Sequence, residues 1–456
     1  MDLTRAMHQK PRKLGRSELS SGESQRSPLC DEAQVAKPSP ADSGFESLLE
    51  QVLERENMRT AWHHVRSNRG AAGVDGRSIE QTEEYLKIEW PHIRQAIREG
   101  SYQPLPVRRV QIPKSGGGMR ELGIPTVIDR LIQQALLQVL QPILDPGFSE
   151  YSYGFRPHRS AHDAVKQALT YVEDGFNVVV DIDLEKFFDT VNHDILMNRL
   201  SRKITDKPAL ALIRKFLQCG IMDGIEITDR IEGTPQGGPL SPLLANVLLD
   251  EVDKELERRG HRFVRYADDC NIYVRSQRAG ERVLESMTRL YAKLQLKVNI
   301  QKTAVGPTYG RKFLGFCFRR WIKGSTKISI APKAVSQFKQ RIREMTKRTG
   351  GKGLSATIEE LKTLIPGWKA YFRLAQVPKI YQNLDSWIRH RLRALILKLW
   401  RTGTTIYKRV RSLGHNHLTA QRAASSAGHW WRGSATYLHT VLTSAYFDAM
   451  GVPRVA

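Results

Sequence analysis

Two adjacent aspartates, Asp268 and Asp269, lie in the stretch RYADDCN between two short runs of strand-forming residues. This pattern predicts a β-hairpin, because aromatic and β-branched residues favour strands and aspartate favours tight turns. A hairpin tip needs no function to explain its aspartates. It can also direct both carboxylates at a divalent cation, since Mg²⁺ takes oxygen ligands and is commonly held by one or two carboxylates. The choice depends on whether the chain supplies a third carboxylate, phosphate-binding cations and a nucleic-acid surface.

Charge is unevenly distributed along the 456 residues, which together carry a net charge of +24. Residues 1–300 contain 42 basic and 42 acidic residues, whereas residues 301–456 contain 29 basic and 5 acidic residues. A segment this one-sided repels itself unless a polyanion neutralises it. We therefore expect nucleic acid as the partner of the C-terminal third, with an anionic membrane as the weaker alternative.

Cysteines and apolar runs narrow the class of protein further. The four cysteines lie far apart without a CxxC pair, which disfavours a disulfide framework and a structural zinc site. No apolar stretch approaches the roughly 18 residues that a membrane span needs, and the N-terminus lacks the apolar segment of a signal peptide. The expectation is a soluble cytosolic protein without membrane contact.

Strand and helix patterns alternate along the chain up to about residue 318. Residues 1–44 are rich in Ser, Pro and charge and are predicted to be disordered. The stretch FESLLEQVLERENMRTAWHHVRSN is predicted as an amphipathic helix, and DRLIQQALLQVLQPIL as a helix with a broad apolar face. The segments VRRVQIP and MRELGI are predicted as two strands joined by a Gly-rich tip, and NVVVDID as a short buried strand that leads into a helix. Helices rich in Arg and Lys are predicted after about residue 319. This order predicts an α+β fold with helices under a small sheet.

A second pair of carboxylates, Asp181 and Asp183, lies at the end of the predicted strand VVVDID. Solvation at a strand end would explain them without function. An unpaired carboxylate in a buried strand is costly, however, so a metal ion or a cationic partner is expected. If Asp183 faces Asp268 and Asp269, the three would make a site for two Mg²⁺ ions, an arrangement that supports phosphoryl transfer.

Three basic residues are candidate phosphate contacts. Lys114 and Arg120 flank the glycine tip KSGGGMR, and Arg156 lies in YGFRPHRS. A Gly-rich loop lets backbone and cations close over a triphosphate, although SGGG by itself is more often only a hairpin turn. These cations become candidates for phosphate binding only because the chain also supplies the carboxylates.

Several motifs, taken in order, resemble those of group II intron reverse transcriptases. They are IPKSGGGMRELGIPT, YGFRPHRSAHDA, DIDLEKFFDTVNHD, GTPQGGPLSPLLANVLLDEVD, FVRYADDC, KVNIQKT and KFLGF. The stretch IPGWKAYFRLA resembles the maturase, or X, region that follows the polymerase in those proteins, and GAAGVDG resembles their N-terminal extension. The resemblance runs from about residue 45 to beyond residue 400, and the co-occurrence of its motifs in order makes it specific.

The resemblance implies a right-hand polymerase with fingers and palm, followed by an α-helical thumb that is also the RNA-binding maturase domain. The expected boundaries are a disordered segment at 1–44, the N-terminal extension and fingers at 45–170, the palm at 171–318, the thumb and maturase domain at 319–401, and a basic DNA-binding tail at 402–456. The tail contains GHNHL, but no HNH-type endonuclease is expected because no cysteine follows Cys317. The implied location is the bacterial cytoplasm, in association with the nucleoid.

The resemblance also implies roles for individual residues. Asp183, Asp268 and Asp269 are similar to catalytic aspartates that hold two Mg²⁺ ions, for which Mn²⁺ can substitute. The residues similar to contacts of the deoxynucleoside triphosphate (dNTP) are Lys114, Arg120, Arg156, Phe188, Gln236 and Gly237. Phe188 would exclude a 2′-hydroxyl, with core packing as its alternative role. The residues expected to contact RNA are Lys369, Arg373, Arg389 and Arg393.

The implied function is an RNA-directed DNA polymerase that also binds its intron RNA and assists splicing and intron mobility. Its partners would be group II intron RNA, an RNA template, a DNA primer or target and dNTPs, and a homodimer is left open. One alternative is an RNA-binding splicing cofactor with a relic polymerase site, which the intact set of candidate site residues disfavours. Another is a reverse transcriptase of the retron or diversity-generating type, against which the X-like region argues.

Overall fold

The computed structural model describes residues 47–113, 118–224, 226–321, 324–347, 351 and 353–456. The predicted disordered segment 1–44 and the candidate triphosphate contact Lys114 lie outside the described residues. Across the described ranges, no helix is both long and apolar enough to cross a membrane.

Helices and strands are interleaved in the first three quarters of the chain. The helices are α1 (Leu48–Leu53), α2 (Arg55–Ser67), α3 (Ile79–Arg98), α4 (Val127–Leu144), α5 (Ala161–Glu173), α6 (His193–Ser201), α7 (Lys207–Gln218), α8 (Ser241–Arg258), α9 (Gln277–Lys293), α10 (Pro332–Met345), α11 (Leu354–Phe372), α12 (Pro378–Trp400), α13 (Gly403–Ser412), α14 (His417–Ala424), α15 (Trp430–Thr436), α16 (Leu438–Val441) and α17 (Ser444–Ala449). The strands are β1 (Val107–Pro113), β2 (Met119–Ile124), β3 (Val178–Ile182), β4 (Ile221–Asp223), β5 (Glu226–Thr228), β6 (Arg262–Tyr266), β7 (Asp269–Val274), β8 (Ala304–Pro307), β9 (Lys312–Phe313), β10 (Phe316–Arg320) and β11 (Thr326–Ile330).

The N-terminal helices form a layer over the fingers. The apolar pattern after Phe45 suggested one amphipathic helix, but the chain forms α1 and α2 with a break at Glu54, whose backbone has an extended ψ of 141°. Helix α3 begins with a capping box, in which Ser78 and Gln81 each accept a hydrogen bond from the backbone of the other. Helices α1 and α2 both pack against α4, whose apolar face was predicted.

The fingers contain a four-stranded sheet with the order β2-β1-β4-β5. Strands β1 and β2 form the predicted antiparallel hairpin, in which Ile112 lies opposite Arg120. Strand β4 joins β1 in parallel, and β5 pairs with β4. Arg120 therefore lies on the edge strand of this sheet, and the pairing of β2 with β1 fixes its direction.

The palm contains an antiparallel sheet with the order β6-β7-β3-β8, so β3 is central. Successive residues of β3 pack on opposite faces, as strand geometry requires. Val180 and Ile182 lie in one hydrophobic core with the helices of the fingers and palm, whereas Val179 lies in a second core shared with the thumb. Because each face of β3 packs against a hydrophobic core, the strand is a nearly continuous apolar run. Its carboxylates come at the end of the strand.

The sheet region extends beyond the predicted boundary between palm and thumb at residues 318 and 319. That boundary falls inside β10, which pairs with β9 on one side and β11 on the other. Phe316, Phe318 and Ile328 of this sheet are buried in the core shared with the thumb. The expectation of helices from about residue 319 was wrong, because the apolar face of this small sheet keeps the chain extended to Ile330.

The predicted thumb helices are present as α10, α11 and α12. Trp368 and Phe372 of α11 are only 5% and 0% exposed, which supports core packing for both rings. The segment predicted as a basic tail folds into α13 to α17 and buries Leu438, Phe447 and Val455 in the same core. The motif GHNHL gives the start of α14, where Asn416 caps the helix.

Candidate active site

Two strands of the palm sheet bring the three predicted catalytic aspartates to one end of that sheet. In the pairing of β3 with β7, Ile182 lies opposite Cys270. Asp183 directly follows the end of β3, Asp269 is the first residue of β7, and the charge of Asp183 acts on both Asp268 and Asp269. Asp268 precedes Asp269 in the hairpin turn. The sequence positions that the family resemblance selected are thus neighbours in space.

The turn that carries Asp268 is a two-residue loop at the tip of the β6–β7 hairpin. Tyr266 pairs with Asp269, which leaves Ala267 and Asp268 at the tip. Ala267 has a left-handed φ of 58°, a conformation that costs a residue with a side chain roughly 1–3 kcal/mol. Gly154 supports this turn from the YGFRP motif, since a Cβ on Gly154 would overlap the backbone of Ala267. We call residues 266–269 the YADD hairpin.

A buried ion pair anchors the YADD hairpin to the helix beneath it. The side chains of Arg265 and Asp253 are fully buried, and Arg265 Nε lies 2.8 Å from Asp253 Oδ1. Arg265 Nη1 also donates to the carbonyl of Ala267 and to Oδ1 of Asn246, each at 2.9 Å. The amide of Asn246 in turn donates to the carbonyl of Gly154 at 2.9 Å. This network joins the hairpin, α8 and the YGFRP loop into one unit.

The carboxylates of the YADD hairpin are short of positive charge. Burial, with added repulsion from nearby carboxylates including Asp183, raises the pKa of Asp269 to about 7. Burial also raises the pKa of Asp268, an effect that Arg120 opposes. Acids that lie close together and are this reluctant to ionise are typical of functional sites that receive a cation.

Asp183 has one cationic neighbour. Lys302 Nζ of the KVNIQKT motif lies 3.0 Å from Asp183 Oδ2, yet this buried oxygen accepts no hydrogen bond. Among the described residues, no group of three or more His, Cys, Asp or Glu side chains has the geometry of a formed metal site. The three aspartates therefore share one end of the sheet without a closed coordination shell. Their donor set still fits Mg²⁺, because the three half-buried carboxylates repel one another and Oδ2 of Asp183 accepts no hydrogen bond.

Asp181 belongs to a different pair. Arg311 Nη1 lies 3.3 Å from Asp181 Oδ2. Burial raises the pKa of Asp181, and the hydrogen bond from Arg311 opposes this shift. Asp181 and Asp183 thus each have one cationic partner, and the charge of Asp181 also contributes to the raised pKa of Asp269.

The fingers hairpin and the TPQG loop meet at Arg120. Its Nε donates to Oε1 of Gln236 at 2.9 Å, and the backbone N–H of Gly123 donates to the carbonyl of Gln236 at 3.1 Å. Gly237 has a φ of 144°, and a Cβ there would lie 2.5 Å from the carbonyl oxygen of Gly123. Only glycine fits this close approach. The structure therefore groups three of the predicted dNTP contacts, and the charge of Arg120 also acts on Asp268.

Phe188 lies in the short 3₁₀ turn Phe187–Asp189 that follows β3. The residue is 9% exposed, and its ring meets that of Phe187 edge-on with centroids 5.1 Å apart. Its carbonyl accepts a hydrogen bond from the backbone N–H of Thr234 at 2.7 Å. The ring thus lies between the strand of Asp183 and the TPQG loop, where both a core role and a sugar contact stay open.

Arg156 has a structural environment that disfavours its predicted triphosphate contact. Its side chain is 4% exposed, and Nε donates to Asp145 Oδ1 at 2.8 Å. Its two Nη atoms donate to the backbone carbonyls of Ser149, Ser152 and Asp145. Every guanidinium nitrogen already has an internal partner, so we correct this assignment: Arg156 holds the loop that carries Gly154.

Two of the four predicted RNA contacts also have internal partners. Arg389 is buried and forms ion pairs with Asp385 at 3.0 Å and with Asp448 at 2.9 Å. Arg393 Nε donates to the carbonyl of Leu442 at 2.9 Å, and burial lowers the pKa of Arg393. We correct the assignment of Arg389, because its buried guanidinium joins α12 to the C-terminal helices. Arg393 is only half-buried, so its contact with RNA stays a prediction.

The other two predicted RNA contacts remain at the surface. Arg373 is exposed at the C-terminal end of α11. Lys369 is also exposed, and its ammonium donates to the backbone oxygen of Ala456 at 2.6 Å. These two cations stay predictions for RNA binding.

Sequence reasoning did not assign three residues that the structure places at the site. They are Lys302 beside Asp183, Arg265 beneath the turn and Gly154 against the turn. All three lie within motifs that carry the family resemblance, and this membership was the signal that could have identified them. Their roles depend on which way each side chain or backbone faces, which the motif spacing does not give.

The architecture and the site together define a class of protein. A fingers sheet, a palm sheet with three carboxylates at one end and a helical thumb are the parts of a right-hand nucleic-acid polymerase. Residues 112–318 match the family described as reverse transcriptase (RNA-dependent DNA polymerase). Residues 335–414 match the maturase-specific domain of group II introns. The chain belongs to the group II intron reverse transcriptase/maturase family, which confirms the family predicted from the motifs.

Two curated relatives and one solved structure are similar to this chain. The chain is 33% identical over 302 residues to Protein YkfC of Escherichia coli (strain K12), covering 57% of this chain and 79% of that protein. It is 38% identical over 217 residues to the group II intron-encoded protein LtrA of Lactococcus lactis subsp. cremoris, covering 47% of this chain and 35% of that protein. Among solved structures, the partial Cas6-RT-Cas1--Cas2 complex matches with a TM-score of 0.37 and 28% identity, over 57% of this chain and 44% of that chain. The chain thus spans most of YkfC and about a third of LtrA.

Proposed function

We propose that this protein is an RNA-directed DNA polymerase that copies RNA into cDNA. The observation that carries the proposal is that Asp183 follows the end of β3, which pairs with β7, and that its charge helps to raise the pKa of both Asp268 and Asp269. Three carboxylates at one sheet end, with Arg120 acting on one of them, suit the transfer of a nucleotidyl group to a primer 3′-hydroxyl. Primer extension on an RNA template with dNTPs tests the proposal.

The protein's part in this reaction would be to position groups and balance charge. Asp183, Asp268 and Asp269 would hold two Mg²⁺ ions, whose chemistry is to lower the pKa of the primer hydroxyl and to stabilise the leaving pyrophosphate. Arg120 would bind the triphosphate, with Gln236 orienting its guanidinium through their 2.9 Å hydrogen bond. Lys114 is proposed as a second triphosphate contact on the basis of the family resemblance alone.

Sugar selection is proposed for Phe188, and Phe187 offers a matched control. We expect Phe188→Ala to lower the preference for dNTPs over ribonucleotides by at least about tenfold, because a ring beneath the sugar excludes the 2′-hydroxyl by steric clash. The measurement is the ratio of kcat/KM for a dNTP and its ribonucleotide. Phe187→Ala removes a ring that is also buried and should leave that ratio unchanged. Equal ratios for wild type and Phe188→Ala would return Phe188 to a purely structural role.

We further propose that the helical domain binds group II intron RNA and assists its splicing. The charge of residues 301–456, with 29 basic and 5 acidic side chains, supports this role. Binding of intron RNA by the full chain should weaken steeply with salt, with a log–log slope of about −4 or steeper if about five phosphates are neutralised. Filter binding between low and moderate salt measures that slope.

Exposed cations of the thumb should account for part of the salt dependence. Arg373→Gln is expected to make the slope shallower by about one unit, because one fewer counterion is released. Arg289→Gln on the palm helix α9 is the control, since that side chain is also exposed and pairs with Glu285. A slope near zero for the wild type would remove the electrostatic argument for RNA binding.

A relic polymerase that serves only as a splicing cofactor is the second candidate function. It would bind intron RNA with the same salt dependence and would not extend a primer. The raised pKa of Asp269 and the Asp183 Oδ2 atom without a hydrogen bond argue against it, because a relic site would have no reason to keep repelling acids together. DNA-target binding by α13 to α17 and association with the nucleoid are proposals that follow from the same family.

A further inference from the structure

A small cleft on the helical domain lies between α10, α12 and α15. It is lined by Arg343, Thr346, Lys347, Arg391, Trp430 and Trp431. Its volume is about 280 Å³, at the small end for ligand pockets, which run from roughly 300 to 1,000 Å³. A cleft of this size holds one planar group of a larger ligand.

Three basic side chains line the cleft, Arg343, Lys347 and Arg391, and Lys339 lies over the same Trp387 ring as two of them; we call these four residues the thumb cations. Three of them lie over the ring of Trp387, with their charged groups 5.5 to 5.6 Å from its centroid. Within the described part of the chain, none of the four forms an ion pair. The one acid of α10, Glu344, is 3.7 Å from Arg341 instead. Positive charge is thus concentrated here without an internal counter-charge.

The floor of the cleft is held rigidly. Arg391 Nε donates to Thr346 Oγ1 at 2.6 Å, which joins α12 to the end of α10. Burial, and then repulsion from Arg343, lower the pKa of Arg391. A fold that keeps repelling cations together at such a cost is expected to receive an anion there.

The opposite wall is aromatic and open to solvent. Trp430 and Trp431 are 36% and 40% exposed. The ring of Trp431 stacks on His390, with centroids 3.9 Å apart and 29° between the ring planes. His390 Nε2 also lies 3.1 Å from the carbonyl oxygen of Trp431. These contacts fix the plane of an exposed indole beside the thumb cations.

We propose that this cleft binds an unpaired nucleotide within a single-stranded stretch of nucleic acid. A base would stack against the indole wall, while the phosphates on either side of it meet Arg343 and Lys347. In a duplex the base faces are stacked on one another, so a duplex offers only its phosphates. It would contact the cations of the cleft and not the indole wall. The inference rests on the proposed nucleic-acid-binding role of the helical domain and adds the class of ligand, an unpaired segment.

Photocross-linking locates the ligand directly. The full chain is mixed with a short unstructured oligonucleotide that carries one 5-iodouracil, with excess unlabelled primer–template present to fill the polymerase cleft. We expect the cross-link to map to the peptide that contains Trp430 and Trp431. RNA and DNA forms of the oligonucleotide are run in parallel, and the form that binds tighter identifies the source of the unpaired segment. Cross-links that map only to the fingers or palm would overturn the proposal.

Variants separate stacking from charge under the same conditions. Trp431→Ala should weaken binding of the oligonucleotide by about tenfold, because stacking on an aromatic side chain is lost. The same variant should bind an abasic oligonucleotide as the wild type does. The matched control is Trp321→Ala, since Trp321 is 51% exposed and also contacts a cation, Lys327, at 4.2 Å from the ring centroid. Equal affinities of Trp431→Ala and Trp321→Ala would contradict stacking.

The charged wall is tested with Arg343→Gln, an exposed position where folding is not at risk. Its affinity should fall equally for normal and abasic oligonucleotides, because only a phosphate contact is lost. Competition by polyglutamate as strong as by an oligonucleotide of equal charge would reduce the cleft to an unspecific anion site and overturn the proposal. If the full chain keeps its steep salt-dependent binding of intron RNA while all cleft variants behave as wild type, this inference alone fails.

Discussion

Replacement of Asp268 by alanine is expected to lower the rate of dNTP incorporation by about a thousandfold or more, while binding of intron RNA stays unchanged. The reason is that Asp268 lies half-buried at the tip of the YADD hairpin, near Asp183 and Asp269, where it would hold Mg²⁺. Loss of one metal ligand removes charge stabilisation that is worth about 4 kcal/mol or more at this rate ratio. The measurement is single-nucleotide primer extension on an RNA template in the presence of Mg²⁺.

Two controls make this result specific to the site. Asp174→Ala removes an exposed aspartate at the end of α5 and should leave extension unchanged. Chelation of divalent cations should abolish extension by the wild type, and addition of Mg²⁺ should restore it. If wild type and Asp268→Ala both fail to extend but bind RNA equally well, the polymerase site is a relic and the protein is a splicing cofactor.

The second large effect is expected at the ion pair beneath the YADD hairpin. Arg265→Met should destabilise the protein by roughly 3–5 kcal/mol, because it leaves the charge of Asp253 buried and unpaired. The double variant Arg265→Met with Asp253→Leu should regain most of that stability, since apolar residues of similar volume can replace a buried ion pair. The free energies of unfolding of the single and double variants measure this directly.

Activity should not return with stability in the double variant. Arg265 is the donor to the carbonyl of Ala267 and to Asn246, and no apolar replacement restores those two hydrogen bonds. We expect kcat for primer extension to stay at least about tenfold below wild type with little change in KM, because the carboxylates lose their position. Full recovery of kcat would show that the network is needed for folding alone.

A matched surface pair provides the reference for both measurements. Arg289 and Glu285 lie 3.1 Å apart with side chains that are 73% and 71% exposed. Removing this pair should change stability by no more than about 1 kcal/mol and leave kcat unchanged, because water screens exposed charges. The contrast between the two pairs therefore isolates the effect of burial beneath the hairpin.

Local pattern was sufficient for much of the fold. The strand at 178–182, the hairpin around Asp268 and the basic helices of the thumb were predicted from periodicity, turn residues and charge, and all are present. The sheet at 312–330 was missed, because short strands that alternate apolar and basic residues give weak local patterns. The break at Glu54 was also missed, since the apolar spacing continues across it.

The sequence alone determined the family, the presence of a palm hairpin and the excess of positive charge in the last third. Motif order and net charge are properties of the chain itself, and they hold in any conformation. The tertiary structure decided which charged groups are available for ligands. Arg156 and Arg389 carry the same charge as Arg120 and Arg373, yet burial and internal carboxylate partners occupy the first two. Whether a charged side chain can bind a ligand depends on its burial and on its ion pairs with distant segments. Neither property can be predicted from the local spacing of residues.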